Sequence, residues 1–306
     1  MADLILHHFA ASPFSEKLRL VLGYKQLAWK SVLVPNILPK PDVVALTGGY
    51  RRTPFLQVGA DIYCDTALVC DVLEALQPTP SLYPTAVAGE GLMRSLAQWA
   101  DTSLFWAAVA YNRGAAAELP AAVFEDRKAM GFDVDWVRPA DATPAYLAYL
   151  TRLADMLGHQ PYLLGATSTI ADFCAYHALW IAHVRGPAPL PLPLRSPVLA
   201  DWLQRMGAIG HGRATACDPS QAMAIAGDSQ PAAIGQNLLP DGDWYDTHGI
   251  LRGSRVAIAA ESFGREPTAG ELIAATRTHY SLRRTDARLG TVHVHFPRIG
   301  YVLKPL

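Results

Sequence analysis

The chain is short of charge, of cysteine and of long apolar runs, and each shortage removes a class of function. Only 17% of its 306 residues are charged, with 26 Lys and Arg against 27 Asp and Glu. No dense basic stripe is present to neutralise a row of phosphates, so nucleic acid is not an expected partner. No run reaches the roughly 18 apolar residues that a membrane span needs. The nearest is broken by Asp172, His177 and His183, and no membrane partner is expected. The four cysteines, Cys64, Cys70, Cys174 and Cys217, are irregularly spaced and never form Cys-x-x-Cys. They read as buried free thiols of a reducing compartment. The opening MADLILHHF carries an acid at Asp3 and no basic leader, so it does not read as a secretion signal. Cytoplasm is the expected compartment.

What is present is apolar matter and clear punctuation. Apolar residues make up 51% of the chain, ample for the cores of about two domains. Leu4 to His8 reads as a strand, and Ser12-Pro13 as an N-cap followed by the favoured first helical residue. Leu18, Leu20, Val21 and Leu22 then give that helix a broad apolar face. A second strand, Trp29 to Val34, stops at Pro35, and the loop Asn36 to Pro41 leads to a short helix near Asp42 to Leu46. Thr53-Pro54 opens a third strand, which Gly59-Ala60-Asp61 turns back through Ile62 and Tyr63 as a hairpin. Asp65-Thr66 caps a helix to about Leu76. The order βαβ, α, hairpin, α over residues 1–77 is thioredoxin-like, an α/β arrangement.

Gln77-Pro78-Thr79-Pro80 breaks this pattern, and an all-α domain is predicted over 84–206. Its periodic stretches are Gly91 to Tyr111, Ala121 to Met130, Ala145 to Leu157, Ile170 to Val184 and Val198 to Met206. Thr169 and Asp172 are spaced as a capping box. Gly186 to Pro197 reads as a stiff, proline-rich connector. Residues 207–306 change in texture: a loop over Gly207 to Arg213, one short helix at Pro219 to Ala226, then brief alternating runs. Those runs, Arg255 to Ala259, Leu272 to Ala274, Tyr280 to Arg283, Thr291 to Phe296 and Gly300 to Leu303, predict a small, mainly β module, an antiparallel sheet or barrel. His293-x-His295 puts two imidazoles on one face of a strand. No Cys or carboxylate ligand accompanies them at a recognisable spacing, so no metal is expected. Of His7 and His8, strand alternation sends only one inward.

In this order and in four motifs the chain resembles the cytosolic glutathione transferase family, of the bacterial serine type, over residues 1 to about 206. The motifs are the Ser12-Pro13-Phe14 turn after the first strand, Thr53-Pro54 opening the third, Asp65-Thr66 where the family commonly has Glu-Ser, and the box from Thr169 to Asp172. The last hundred residues lie outside the family's usual two-domain plan. The resemblance implies a homodimer that uses glutathione as co-substrate, without metal, and conjugates it to a small apolar electrophile. It implies Ser12 as the catalytic hydroxyl donating to the glutathione sulfur, and Phe14, Lys40, Arg52, Thr53, Pro54, Asp65 and Thr66 as glutathione-binding. Thr53-Pro54 would be a cis peptide aiming backbone groups at an extended ligand. Thr66 and Asp65 would meet the γ-glutamyl carboxylate and ammonium, Lys40 and Arg52 the glycyl carboxylate, and Trp106 or Tyr111 would line the electrophile's pocket.

Each residue also has a plainer reading. Ser12 could spend its oxygen on the Ser15 amide as a cap worth about 1 kcal/mol; Asp65 could simply begin a helix; Lys40 and Arg52 could be solvated charges; Trp106 and Tyr111 could be core. The chemistry asked of Ser12 is modest. A thiol of pKa about 8.5 needs about 2.7 kcal/mol to fall by two units, and a hydrogen bond to a charged acceptor supplies roughly 1.5–3 kcal/mol. Disulfide exchange is a different matter, because it needs a protein thiolate that neither Ser12 nor Ser15 can supply, unless Cys64, directly before Asp65, or another cysteine serves. The plainer reading of Cys64 is an inert buried thiol. The remaining alternatives are a non-catalytic binding scaffold and a glutathione-dependent isomerase or dehalogenase, although the Ser-Ser-Cys turn of maleylacetoacetate isomerases is absent.

Overall fold

A computed structural model describes residues 3–115, 120–131, 139–185, 197–239, 241–245 and 247–306. The N-terminal part contains β1 (Leu4–His8), α1 (Pro13–Tyr24), β2 (Ala28–Leu33), α2 (Pro41–Thr47), β3 (Phe55–Val58), β4 (Asp61–Cys64) and α3 (Thr66–Leu76). β1 runs parallel to β2 and antiparallel to β3, which forms the expected hairpin with β4. Every residue of β1 is buried because the strand is central and covered on both faces. Both His7 and His8 are therefore inside, where alternation alone would send one. His7 stacks on Phe55 and bonds Gln57 at 2.7 Å, while His8 bonds Ser31 at 2.8 Å.

The helical lobe comprises α4 (Glu90–Trp99), a π-helical turn at Ala100–Leu104, α5 (Phe105–Ala115), α6 (Ala121–Ala129), α7 (Pro139–Leu157), α8 (Ile170–Leu179), a second π-helical turn at Trp180–Val184, and α9 (Pro197–Ala208). The long helix predicted from Gly91 is thus interrupted by a π turn. Helix α7 starts six residues before the predicted Ala145 and carries Pro144 inside it, at its sixth residue, where the missing N–H leaves the Ala140 carbonyl without its i→i−4 donor. The capping box at α8 is formed: Asp172 accepts from the Thr169 and Leu163 amides and from the Trp202 indole. Residues 186–196 of the predicted connector lie outside the described residues. No helix among the described residues is long and apolar enough to cross a membrane.

The remaining elements are β5 (Arg213–Ala216), α10 (Pro219–Gly227), β6 (Arg255–Ala260), β7 (Thr268–Ala275), β8 (His279–Asp286), β9 (Gly290–Pro297) and β10 (Tyr301–Pro305). β5 begins at Arg213, the last residue of the expected loop, and runs through residues for which no element was expected; all four are exposed, so no alternation could announce it. All ten strands join one sheet in the order β10-β6-β7-β8-β9-β4-β3-β1-β2-β5. The extra strands are antiparallel to one another, and β9 docks parallel to β4, with Asp61 opposite His293 and Tyr63 opposite His295.

Among the described residues, two large cores and a small one of Ile5, Val32, Cys217 and Ala222 divide the faces of the N-terminal strands. One large core joins Leu6, Leu56 and Tyr63 to α1, α3 and the helical lobe. The other large core joins Phe55, Ile62, Cys64, Tyr50 and Leu46 to Val256, Leu272, Leu282, Val294, Phe296 and Leu303. The sheet is curled around this second core. Five strand spacings separate β10 from β4, about 24 Å if flat, yet the Tyr301 hydroxyl of β10 lies 3.0 Å from the Asp65 carboxylate that follows β4. Gly49 allows the close approach: at φ +148° it sits against the Pro267 carbonyl, where a Cβ would be only 2.4 Å from that oxygen.

Candidate active site

Strand directions assemble the site. β3 is antiparallel to both β1 and β4, so the C-terminal end of β1, the N-terminal end of β3 and the C-terminal end of β4 meet at one end of the sheet. Ser12 follows β1, Thr53-Pro54 precedes β3, and Asp65-Thr66 follows β4. Residues far apart in sequence thus share a small region by topology alone.

Ser12 is the N-cap of α1, with its Oγ accepting from the Ser15 amide at 3.1 Å, and it is only 3% exposed. Capping occupies an acceptor site of the oxygen and leaves its proton available to donate. Among the described residues no acceptor takes that proton. The Ser15 and Thr53 hydroxyls are buried and have no hydrogen-bond partner among the described residues. The Thr53-Pro54 peptide is cis. Phe14 turns toward the helical lobe, 4.8 Å from the Phe105 ring and 4.6 Å from His177.

Behind Phe14 lies a buried ion pair that sequence reading did not single out. Lys17 Nζ donates to Asp101 at 2.6 Å, and His177 Nε2 lies 2.7 Å from the same carboxylate. Burial works against Asp101, but Lys17 and His177 outweigh it and hold the carboxyl below its usual range. Asp101 sits in the first π turn, which widens the backbone where the two lobes meet.

Asp65 is the N-cap of α3 at φ 77°, ψ 136°, an uncommon conformation for a residue with a side chain. Its Oδ1 accepts from the Ala67 amide at 2.9 Å and its Oδ2 from the Tyr301 hydroxyl at 3.0 Å; its own amide donates to the Tyr50 hydroxyl at 3.2 Å. Thr66 is buried at the first position of the same helix. Burial pushes the Cys64 thiol well above its ordinary pKa, so this neighbour is no ready nucleophile.

The cations are all engaged by the chain. Lys40 is buried and donates to the Arg51 carbonyl at 3.4 Å; burial, with Arg127 adding to it, lowers its ammonium to about 8. Arg51 pairs with Asp126 of α6 at 2.9 Å and with Glu266. Arg52 donates to the Phe263 carbonyl and to Ser262 Oγ at 3.3 Å, and its guanidinium carbon is 5.9 Å from the Tyr301 ring centre. The loop between β6 and β7 is held to both lobes, since the Gly264 amide also donates to the Met130 carbonyl at 2.7 Å.

Trp106 is brought to this region and meets Phe263 edge to face at 6.0 Å. Tyr111 lies in another cluster, 5.0 Å from Tyr146 and 5.8 Å from His183. His295 and His293 share Asp61, at 2.9 and 3.8 Å, and Ser281 bonds the other nitrogen of His295 at 2.7 Å. Among the described residues no group of three or more ligands could hold a metal.

Residues 6–81 match the family model for the glutathione S-transferase N-terminal domain, and residues 110–205 match that for the C-terminal domain. A GST-like protein from Pseudomonas syringae is 39% identical and superposes over 100% of both chains with a TM-score of 0.82. A theta class glutathione S-transferase from Xanthomonas axonopodis pv. citri, solved with glutathione bound, is 23% identical over 67% of this chain and 92% of its own, with a TM-score of 0.51. A maleyl pyruvate isomerase, a bacterial zeta class protein, is 22% identical over 67% of this chain and 92% of its own, with a TM-score of 0.50. These last two show likeness of fold only. No curated protein matches the chain.

Proposed function

Because the chain belongs to the glutathione S-transferase family, we propose that it conjugates the thiolate of glutathione to a small apolar electrophile. The observation that supports this most is the meeting of the Ser12 hydroxyl, the cis Thr53-Pro54 peptide and the N-terminus of α3 at one end of the sheet. The glutathione backbone would extend along Thr53, as one strand adds to another. Its γ-glutamyl carboxylate would meet Thr66 and the α3 amides, and its ammonium would meet Asp65.

Ser12 is capped from below through its oxygen and would donate its proton outward to the sulfur. Thiol ionisation releases a proton to solvent as glutathione binds. The thiolate then forms a carbon–sulfur bond while the electrophile's leaving group departs with its electron pair. The protein supplies placement and stabilisation of the anion. Trp106 and Phe263 support an apolar, aromatic lining for the electrophile. Four buried free thiols fit a reducing cytoplasm, and the assembly proposed with this reading is a homodimer.

Ser12→Ala tests the chemistry. Glutathione affinity should change less than about threefold, conjugation of an aryl halide should fall by about tenfold to a hundredfold, and the bound thiol should titrate at higher pH. An unchanged rate would leave Ser12 as a cap only. A second reading, a binding protein without turnover, is favoured by the low exposure of Ser12. It would be upheld by wild type that binds glutathione but consumes none of a broad panel of electrophiles.

A further inference from the structure

The strands added after residue 254 return to the site. Tyr301 opens β10 at the far edge of the curled sheet, 236 positions along the chain from Asp65, and its hydroxyl donates to Asp65 Oδ2 at 3.0 Å. Tyr301 is 5% exposed, is packed 5.5 Å from the Phe296 ring, and carries the Arg52 guanidinium over its face at 5.9 Å. The Tyr50 ring centre lies 6.5 Å from its own, and the Tyr50 hydroxyl accepts the Asp65 amide at 3.2 Å. Asp65 is therefore gripped from both its backbone and its carboxylate by two phenols, one from each part of the molecule.

We propose that Tyr301 is a positioning residue of the glutathione site, holding the Asp65 carboxylate in the orientation that meets the γ-glutamyl ammonium. The inference rests on the glutathione reading above and adds to it a role for the C-terminal strands. Geometry limits what Asp65 can do alone. Its Oδ1 is committed to the helix cap through Ala67, and its backbone is in a conformation that a side chain disfavours. Oδ2 is left to face a ligand, and an ionised carboxylate oxygen has room for two donors. The Tyr301 hydroxyl takes one direction and fixes the plane of the carboxylate, which leaves the second direction for the ammonium. A phenol suits this task because it donates without bringing a competing charge. An Arg or Lys in its place would neutralise Asp65 and repel the ligand's cation.

The test uses the full chain and two ligands, glutathione and its deamino analogue, in which a glutaryl group replaces the γ-glutamyl group. Titration calorimetry compares wild type with Tyr301→Phe, which keeps the ring packing and removes only the oxygen. Wild type should bind glutathione more tightly than the analogue. Tyr301→Phe should weaken glutathione binding by about fivefold to tenfold and leave the analogue within about twofold. Asp65→Asn should show the same ligand-selective loss, and adding Tyr301→Phe to it should cost nothing further. An equal loss for both ligands would make Tyr301 a packing residue and overturn the proposal, as would no loss for either. Wild type that binds glutathione no better than the analogue would also overturn it while leaving the transferase reading intact. Wild type that binds neither ligand would bring down both.

Discussion

The helical lobe packs on the N-terminal strands through α1 and α3, whereas β6 to β10 curl around α2 and the opposite face of the same strands. Both regions bury apolar area against one sheet, but they are built differently. Helices α4 to α9 carry apolar faces long enough to pack on one another, and Tyr146, Leu150, Leu153 and Phe173 meet within the lobe. The C-terminal strands fill their concave side with Leu46, Tyr50, Phe55 and Ile62, which come from the first 77 residues. Both regions share a core with the N-terminal strands, but the helical lobe also packs helix against helix, whereas the C-terminal strands draw much of their filling from the first 77 residues. That difference explains why the added strands reach the candidate site at all.

The comparison can be tested first by acid. Burial lowers His7, His8 and His279 to about 4 each, and two of these lie in β1 and one in β8. Their folded values are below the unfolded value of about 6.5. The unfolded chain therefore binds more protons between these limits, and stability falls as pH drops from about 6.5 toward 4. Each histidine contributes a slope of about 1.4 kcal/mol per pH unit in that window. Burial pushes His177 in the same direction. Asp101 behaves otherwise: it is held below the ordinary carboxylate range, so its contribution survives until pH falls below about 4. Urea denaturation from pH 7 to pH 4 should show a steep loss, and a flat profile down to pH 5 would contradict the burial of these imidazoles.

A smaller effect separates a shared core from an independent one. Phe296→Ala removes a ring packed against Tyr50 and Tyr301, 5.9 and 5.5 Å away, and should cost about 3–5 kcal/mol. Because that core is shared, the N-terminal domain and the C-terminal strands should unfold together, in one denaturant transition followed by tryptophan fluorescence and by far-UV circular dichroism. Two separated transitions would show that the added strands stand alone. The smallest expected effect is Gly49→Ala, which meets both the positive φ and the Pro267 carbonyl. It should cost about 1–3 kcal/mol and loosen the β6–β7 loop, read as faster amide exchange at Gly264, whose amide donates to Met130.

Much of the first region was legible because its signals are local. Ser12 before Pro13, the Thr169 to Asp172 box and the hairpin turn at Gly59 each act over three or four residues, and the helices and strands formed around them. Ser12, Thr53-Pro54 and Asp65 could be named from motifs because each marks an element's end. Trp106 and Tyr111, five residues apart on one helix, looked equivalent by spacing. They diverge because one faces the β6–β7 loop and the other faces α7. Arg52 and Lys40 were legible as cations near the site, but their engagement with Phe263 and Arg51 was not. Asp101 was hidden inside an apolar helix, with its partner 84 positions away.

Periodicity, caps and composition by themselves determined the kind and order of most elements in this protein, though not β5 or the π turns, since hydrogen bonds within a helix or across a tight turn are closed by neighbours in sequence. Which strand lies beside β4, where the curled sheet brings Tyr301, and which carbonyl meets Arg52 were decided only in three dimensions. The backbone groups of a strand edge accept any partner, and the choice depends on which distant apolar surfaces can be buried together.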